Sequence, residues 1–419
     1  MQTLTVSGGR RLYGEVRVHG SKNAALPILF SSLLFSEPIE IANLPAITDV
    51  AAALALLSSF GVKVTKTARD RVLLDPSSVR PASCDPDLTG SLRGSLYLLG
   101  AAAGRLGELS VPHPGGCNFG ARPIDLHLDV LRAMGLAVSE SGEGVFVKGR
   151  PKGARFDFPS ASVGATVNAI LAAVLAEGRT VLTGAAREPH VLDLIAFLRL
   201  AGARISTPSP GAVVIDGVKR LHGITYRVCP DMIEAGTYLL FALATGGAVT
   251  LRAAAPEQLA PILPLFEGMG AKIGVGVASL SVSWPGRLRP VRVETAPYPG
   301  FPTDLQPQLT ALACLSDGES VIADPIFPTR FGYVSELKKA GAKITVADGR
   351  AVVSGGGGFT GAKMIAPDLR AGAALTLAAL AGEGESRIAR YDLIARGYAD
   401  FCGTLRSLGA IIGTSDDGA

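Results

Sequence analysis

The loop Pro114-Gly115-Gly116-Cys117-Asn118-Phe119-Gly120-Ala121-Arg122 sets one thiol among three glycines, five positions ahead of an arginine. A nearby cation favours the thiolate, and glycine gives the backbone access to φ > 0, so these residues suit a reactive cysteine on a movable segment. Cysteine also ranks among the most buried residue types and behaves as a small hydrophobe, so a packed thiol in a tight turn fits equally well. The remaining cysteines, at 84, 229, 314 and 402, are scattered and form no CxxC or Cys/His spacing. Neither a disulfide framework nor a structural zinc site is expected, and no other metal or organic cofactor is implied.

Such a loop needs elements to position it. At 419 residues the chain exceeds the size at which single cores stop growing, which predicts two domains. Hydrophobic residues make up 48%, much of it alanine and leucine, as closely packed interior helices require. The most apolar stretch, 235–251, is interrupted by Gly236, Thr237 and Gly246-Gly247 and falls short of the roughly 20 apolar residues of a membrane span. It reads as a core helix running into a turn and a strand, and no membrane partner is expected. Forty Lys+Arg against thirty-six Asp+Glu leave a net charge of +4, too weak and dispersed for a nucleic-acid footprint. The first seven residues show no basic region followed by an apolar one, so the expected compartment is the cytoplasm.

Internal repetition organises the whole chain. Six similar phrases recur: Ser59-Phe60-Gly61-Val62-Lys63-Val64, Ala133-Met134-Gly135-Leu136-Ala137-Val138, Leu200-Ala201-Gly202-Ala203-Arg204-Ile205, Gly268-Met269-Gly270-Ala271-Lys272-Ile273, Lys339-Ala340-Gly341-Ala342-Lys343-Ile344 and Ser407-Leu408-Gly409-Ala410-Ile411-Ile412. Their central glycines are 74, 67, 68, 71 and 68 residues apart. Each phrase reads as a helix ending on a glycine and leading into a short strand. Every repeat also opens with polar or charged residues before an Ala/Leu-rich helix: Lys22-Asn23, Arg93, Ser162-Val163-Gly164, Asp231, Asp304 and Asp368-Leu369-Arg370. The predicted unit is strand, helix, strand, helix, strand, strand, used six times as two domains of three. Several helix N-termini converging on one cleft would attract anions.

The chain resembles the enolpyruvyl transferases over nearly its whole length, and within them those acting on UDP-N-acetylglucosamine in cell-wall synthesis. The matching segments are Gly20-Ser21-Lys22-Asn23-Ala24-Ala25-Leu26-Pro27, the loop from Pro114 to His127, Ser162-Val163-Gly164-Ala165-Thr166, Ala186-Arg187-Glu188-Pro189, Phe301-Pro302-Thr303-Asp304, Asp368-Leu369-Arg370-Ala371-Gly372 and Arg396-Gly397-Tyr398. The resemblance implies an α/β fold, the two-domain inside-out barrel. Residues 22–229 would form one domain and 230–419, completed by 1–21, the other, with the active site between them and the cysteine loop closing as a lid.

It also implies small-molecule substrates: phosphoenolpyruvate (PEP) and a uridine nucleotide whose hydroxyl receives the enolpyruvyl group as phosphate departs. Lys22, Arg122 and Arg396 match the cations that hold PEP, with Arg330 and Arg370 nearby. Cys117 matches the general acid that protonates C3 of PEP, and alkylation by the epoxide fosfomycin is implied there. Asp304 matches the group that contacts the attacking hydroxyl and accepts its proton, although an aspartate at a helix start is commonly a plain cap. Asp368 invites the same simpler reading. Asn23, Arg93, the stretch Arg122-Pro123-Ile124-Asp125-Leu126, Ser162-Val163-Gly164 and Ile326 match positions that hold the nucleotide, while Val163 and Ile326 are equally compatible with ordinary packing.

Departures from the family pattern include Met232 in place of an arginine, Ala395 in place of an aspartate, Ala399 in place of a glutamate, and Pro328-Thr329 ahead of Arg330-Phe331 in place of Glu-Asn. Two further expectations therefore stand beside the main one: the same transfer onto another uridine nucleotide such as UMP, and a catalytically silent protein that senses a UDP-sugar. His113, in the cysteine loop, is expected to be a solvent-exposed loop residue.

Overall fold

A computed structural model describes residues 2–113, 115, 123–284 and 286–416. The chain divides into two compact units, one built from residues 2–19 and 230–416 and the other from residues 20–113 and 123–229.

All six repeated glycines carry positive φ, from +83° at Gly135 to +112° at Gly270. That conformation ends each second helix of a repeat. In the third repeat, Gly202 N donates to Arg199 O at 3.0 Å and Ala203 N to Leu198 O at 2.9 Å. The backbone so turned satisfies carbonyls that the helix end would otherwise leave orphaned, and a side chain with a Cβ would be strained there. The next residues are then free to extend as a strand.

The third repeat shows the unit in full. Arg155–Asp157 runs parallel to Arg179–Thr183, which pairs antiparallel with Val213–Asp216, which in turn pairs antiparallel with Arg204–Ser206. A parallel pair needs a crossover, supplied by the helix Val163–Ala173. The second helix, Pro189–Leu200, leads to the capping glycine. Six such sheets are described, five of four strands and one of three.

Remote segments complete three of them. Gln2–Ser7 lies between Glu385–Ala389 and Ile411–Asp416, antiparallel to both, and supplies the last strand of the sixth repeat. Tyr13–Arg17 pairs parallel with Ala248–Arg252 and supplies the first strand of the fourth. Thr225–Arg227 does the same for Ile39–Ala42 in the first repeat.

The first helices of the repeats form the interior. Met232–Ala244 is buried from Met232 through Leu243, and Val163–Ala173 from Ala165 onward. Small residues allow these helices to approach: a Cβ at Gly100 would lie 2.4 Å from the Asn168 carbonyl oxygen. Each buried Leu or Phe contributes roughly 1.5–3 kcal/mol, so Tyr238-Leu239-Leu240-Phe241 anchors one core, and Leu240→Ala should cost about 2–5 kcal/mol. No helix among the described residues is long and apolar enough to cross a membrane.

Candidate active site

The residues singled out from the sequence fall on repeat openings and on the loops beside them. In the unit containing residues 230–416, three of them are in direct contact. Asp304 lies in the single turn Thr303–Leu305 that precedes the buried helix Gln306–Ala313. Its carboxylate does not cap that helix, which has no side-chain cap. Arg330 Nη1 donates to Asp304 Oδ1 at 2.9 Å, while Arg370 Nε and Nη2 donate to Oδ2 at 3.2 and 3.0 Å. Both arginines are buried, 2% and 3% exposed, whereas 28% of the Asp304 side chain remains accessible.

Electrostatics follow from that geometry. Burial pushes the Asp304 carboxyl upward, but Arg370 and then Arg330 outweigh it and hold the group well below the usual carboxylate range. The result is an accessible oxyanion on a buried cationic floor. A further anion could share the two guanidiniums, and a hydroxyl reaching Asp304 would find an acceptor.

Arg370 opens the helix Leu369–Ala381, whose first turn is capped by Asp368: Oδ1 accepts from Arg370 N at 2.9 Å and Ala371 N at 3.0 Å. The cap fixes the helix start from which Arg370 projects. Behind Arg370 stands Tyr398, its ring centroid 5.4 Å from the guanidinium carbon. The Thr237 hydroxyl donates to Ile233 O, which leaves its oxygen to accept from the Tyr398 hydroxyl at 3.0 Å, and Gln308 Nε2 donates back to Tyr398 at 3.2 Å. Arg396 follows the short helix Tyr391–Ala395 and is half-buried. Ile326 is exposed.

The unit containing residues 20–113 and 123–229 holds the described nucleotide candidates other than Ile326, together with Lys22. Ser21 caps the helix Lys22–Ser31, and Lys22 Nζ pairs with Asp49 Oδ2 at 2.6 Å, with Asn23 half-buried beside it. Asp49 was not legible as a partner because it sits 27 positions away, in the first turn of Thr48–Ser59. Arg93 starts the turn Arg93–Leu96 and is half-buried. Ser162 Oγ accepts from Ala165 N at 3.3 Å at the start of the helix that carries Val163 and Gly164.

Two segments distant in sequence meet here. Pro123 and Asp125 are exposed, Leu126 is half-buried, and His127 is buried in the first turn of Asp125–Ala133. The His127 ring lies against Gly164, where a Cβ would approach Cε1 and Nε2 to 2.6 Å. Asn168 Oδ1 accepts from Gly100 N at 2.8 Å, so its amide nitrogen donates to His127 Nδ1 at 2.7 Å. The imidazole proton is thereby assigned to Nε2, on the side of the Ser162-Val163-Gly164 opening.

Cys117, Arg122 and the rest of the cysteine loop from 116 to 122, with Pro114, lie outside the described residues. His113 is exposed and its Nε2 donates to Ser141 O at 2.7 Å. Among the described residues no group of three or more His, Cys, Asp or Glu is placed to hold a metal ion.

The comparisons with known proteins agree with this architecture. The family model of EPSP synthase (3-phosphoshikimate 1-carboxyvinyltransferase) matches residues 6–405. A UDP-N-acetylglucosamine 1-carboxyvinyltransferase of Kosmotoga olearia is 41% identical over 418 residues, 98% of this chain and 99% of that protein. One of Psychrobacter arcticus is 42% identical over 416 residues, 98% of each. Among solved structures, the enolpyruvyl transferase NikO from Streptomyces tendae superposes with a TM-score of 0.89 at 29% identity, covering 99% of both chains. An EPSP synthase of Acinetobacter baumannii, at 18% identity and a TM-score of 0.75 over 99% of this chain and 100% of that one, shares the fold. The six-repeat α/β architecture, the inside-out barrel shared with these structures and the match over almost the whole length show that this chain belongs to the EPSP synthase (3-phosphoshikimate 1-carboxyvinyltransferase) family of enolpyruvyl transferases.

Proposed function

We propose that the chain transfers the enolpyruvyl group of PEP to the 3-hydroxyl of the GlcNAc in UDP-N-acetylglucosamine, releasing phosphate, as the committed step of peptidoglycan synthesis in the cytoplasm. The observation that carries the acceptor is the 41–42% identity, over 98% of the chain, with relatives that bear that activity in their names. Residues 22–229 and 230–419 with 1–21 are proposed as the two enolpyruvyl transferase domains, both serving the one reaction.

Each step then has a group suited to it. Asp304, kept ionised by Arg330 and Arg370, accepts the proton of the attacking hydroxyl. The freed oxygen bonds to C2 of PEP while Cys117 delivers a proton to C3, giving a tetrahedral adduct. Loss of a C3 proton with cleavage of the C2–O bond to phosphate restores the double bond on the transferred group. Lys22, Arg122, Arg330, Arg370 and Arg396 offset the charge of the PEP carboxylate and phosphate. Asn23, Arg93, Pro123, Asp125, Leu126, Ser162, Val163, Gly164 and Ile326 hold the nucleotide, with Asp368 setting the helix start from which Arg370 projects. The substrates are small molecules, and neither a membrane nor a nucleic acid takes part.

The departures at Met232, Ala395 and Ala399 favour one alternative acceptor class, a different uridine nucleotide such as UMP. Phosphate release with PEP against UDP-N-acetylglucosamine, UDP-glucose and UMP separates the readings. Turnover with UDP-N-acetylglucosamine supports the proposal, turnover with UMP alone transfers it to the alternative, and binding without release in every case indicates a sensor.

A further inference from the structure

Asp324 is a fully buried carboxylate for which the reaction as proposed has no use. It follows the strand Glu319–Ala323, and burying such a group is costly unless donors satisfy it. Four do. Oδ1 accepts from Thr295 Oγ1 at 2.7 Å and from the backbone N–H of Ile326 at 3.1 Å and of Phe327 at 2.9 Å. Oδ2 accepts from Thr303 Oγ1 at 2.5 Å.

The two oxygens act on different segments. Through Oδ1, Asp324 bends the chain that carries Ile326 and, further on, Arg330. Through Oδ2 it acts on the turn that carries Asp304. A hydroxyl has a single proton, and that of Thr303 is committed to Asp324, so its lone pairs are left for Arg330. Arg330 Nη1 donates to Thr303 Oγ1 at 3.0 Å as well as to Asp304 Oδ1 at 2.9 Å. One buried carboxylate thus joins the segment bearing Arg330 to the turn bearing its partner.

We infer that Asp324 is a positioning residue for the transfer step: it polarises the Thr303 hydroxyl so that Thr303 holds Arg330 on Asp304, and its other oxygen fixes the segment carrying Ile326. The inference rests on Asp304 being the group that takes the acceptor's proton. Among the described residues, Arg330 and Arg370 are the charged groups paired with Asp304; Tyr398 and Asp231 lie near Arg370, and Tyr333 near Arg330.

The test compares Asp324→Asn, Thr303→Val and Thr303→Ser with the unaltered protein. An amide nitrogen in place of Oδ2 cannot receive the Thr303 proton, and valine removes the hydroxyl while keeping the shape. Both changes should lower kcat by about 10- to 100-fold through misplacement of Arg330, and Thr303→Ser should stay within about threefold of the parent. The double variant Asp324→Asn/Thr303→Val should be no worse than the poorer single change, because the two act in series. With Arg330 loosened, Asp304 binds its proton more readily, so the acidic limb of kcat against pH should move to higher pH. A merely structural role would lower the melting temperature and leave that limb in place.

Should Asp324→Asn fail to fold, Thr303→Val carries the test alone. A Thr303→Val protein with parental kcat and an unmoved acidic limb overturns the inference, provided Asp304→Ala is inactive. Full turnover by Asp304→Ala would instead overturn the assignment of Asp304.

Discussion

Arg370 reaches Asp304 across 66 positions of sequence and places both Nε and Nη2 on the single oxygen Oδ2, at 3.2 and 3.0 Å. The other oxygen belongs to Arg330. A carboxylate held in this way stays ionised far into acid, and both of these partners are buried cations. Under the proposed mechanism, activity and stability meet at the same residue.

Asp304→Ala should abolish most turnover, by about 10²–10⁴-fold for loss of a general base. It should also destabilise the fold by roughly 3–5 kcal/mol, because Arg330 and Arg370 remain buried without their anion. Phosphate release and urea unfolding measure the two effects. A variant as stable as the parent would show that the arginines find other partners.

The pH dependence of stability has a definite sign. The folded-state pKa of Asp304 lies below its unfolded value, so the unfolded chain binds the extra proton. The contribution is fully present above about pH 4, the unfolded carboxylate range, and is lost as pH falls through the native value. Asp304→Asn should therefore differ most from the parent near neutrality and least in strong acid. Urea midpoints taken from pH 7 down to pH 3 give the comparison, and a gap that widens on acidification would contradict it.

Cys117 should be the preferred target of fosfomycin and other electrophiles. Burial pushes the thiols of Cys84 and Cys314 up to about 12 and raises that of Cys402, so these form little thiolate near neutrality. Mass spectrometry after brief exposure should place the adduct on Cys117, and Cys117→Ala should lose about 10²–10⁴-fold in kcat while still binding PEP. Label spread over several cysteines, or a fully active alanine variant, would count against the assignment.

Gly164→Ala should raise KM for the nucleotide more than it lowers kcat. The added methyl would come within 2.6 Å of the His127 ring and displace it from Asn168, disturbing the opening formed by Ser162, Val163 and Gly164. Steady-state kinetics with the nucleotide varied provide the check, and an unchanged KM would show that this opening does not touch the nucleotide.

Gly202→Ala should cost about 1–2 kcal/mol with no change in KM, because an alanine must adopt the φ of +97° that ends the helix Pro189–Leu200. Thermal unfolding resolves a loss of that size. The same change at Gly268, whose Cβ would meet nothing within 4 Å, serves as the control.

The sequence alone determined what is local and repeated. A glycine after each second helix follows from the backbone geometry of a helix end, and recurrence in phase made the six-unit plan legible before any strand was paired. Residue types at the repeat openings likewise announced the helix starts. What depended on distant segments was decided by tertiary structure. Strand pairing is non-local, so nothing in Gln2–Ser7 reveals that it lies between Glu385–Ala389 and Ile411–Asp416. Asp304 and Asp368 look alike as helix-start aspartates, yet Asp368 caps backbone N–H groups while Asp304 turns to two guanidiniums. Only folding brings Arg330 and Arg370 within reach of one of them. Tyr398 and Thr303 lay inside recognised segments without a visible task, since a hydroxyl's role depends on which partner takes its proton. Asp324 left one faint local signal, an aspartate directly after a strand and before a proline, a pair that favours turns in which the carboxylate accepts from the N–H two residues on. Its grip on Thr303 crosses 21 positions, which makes it a property of the packed fold.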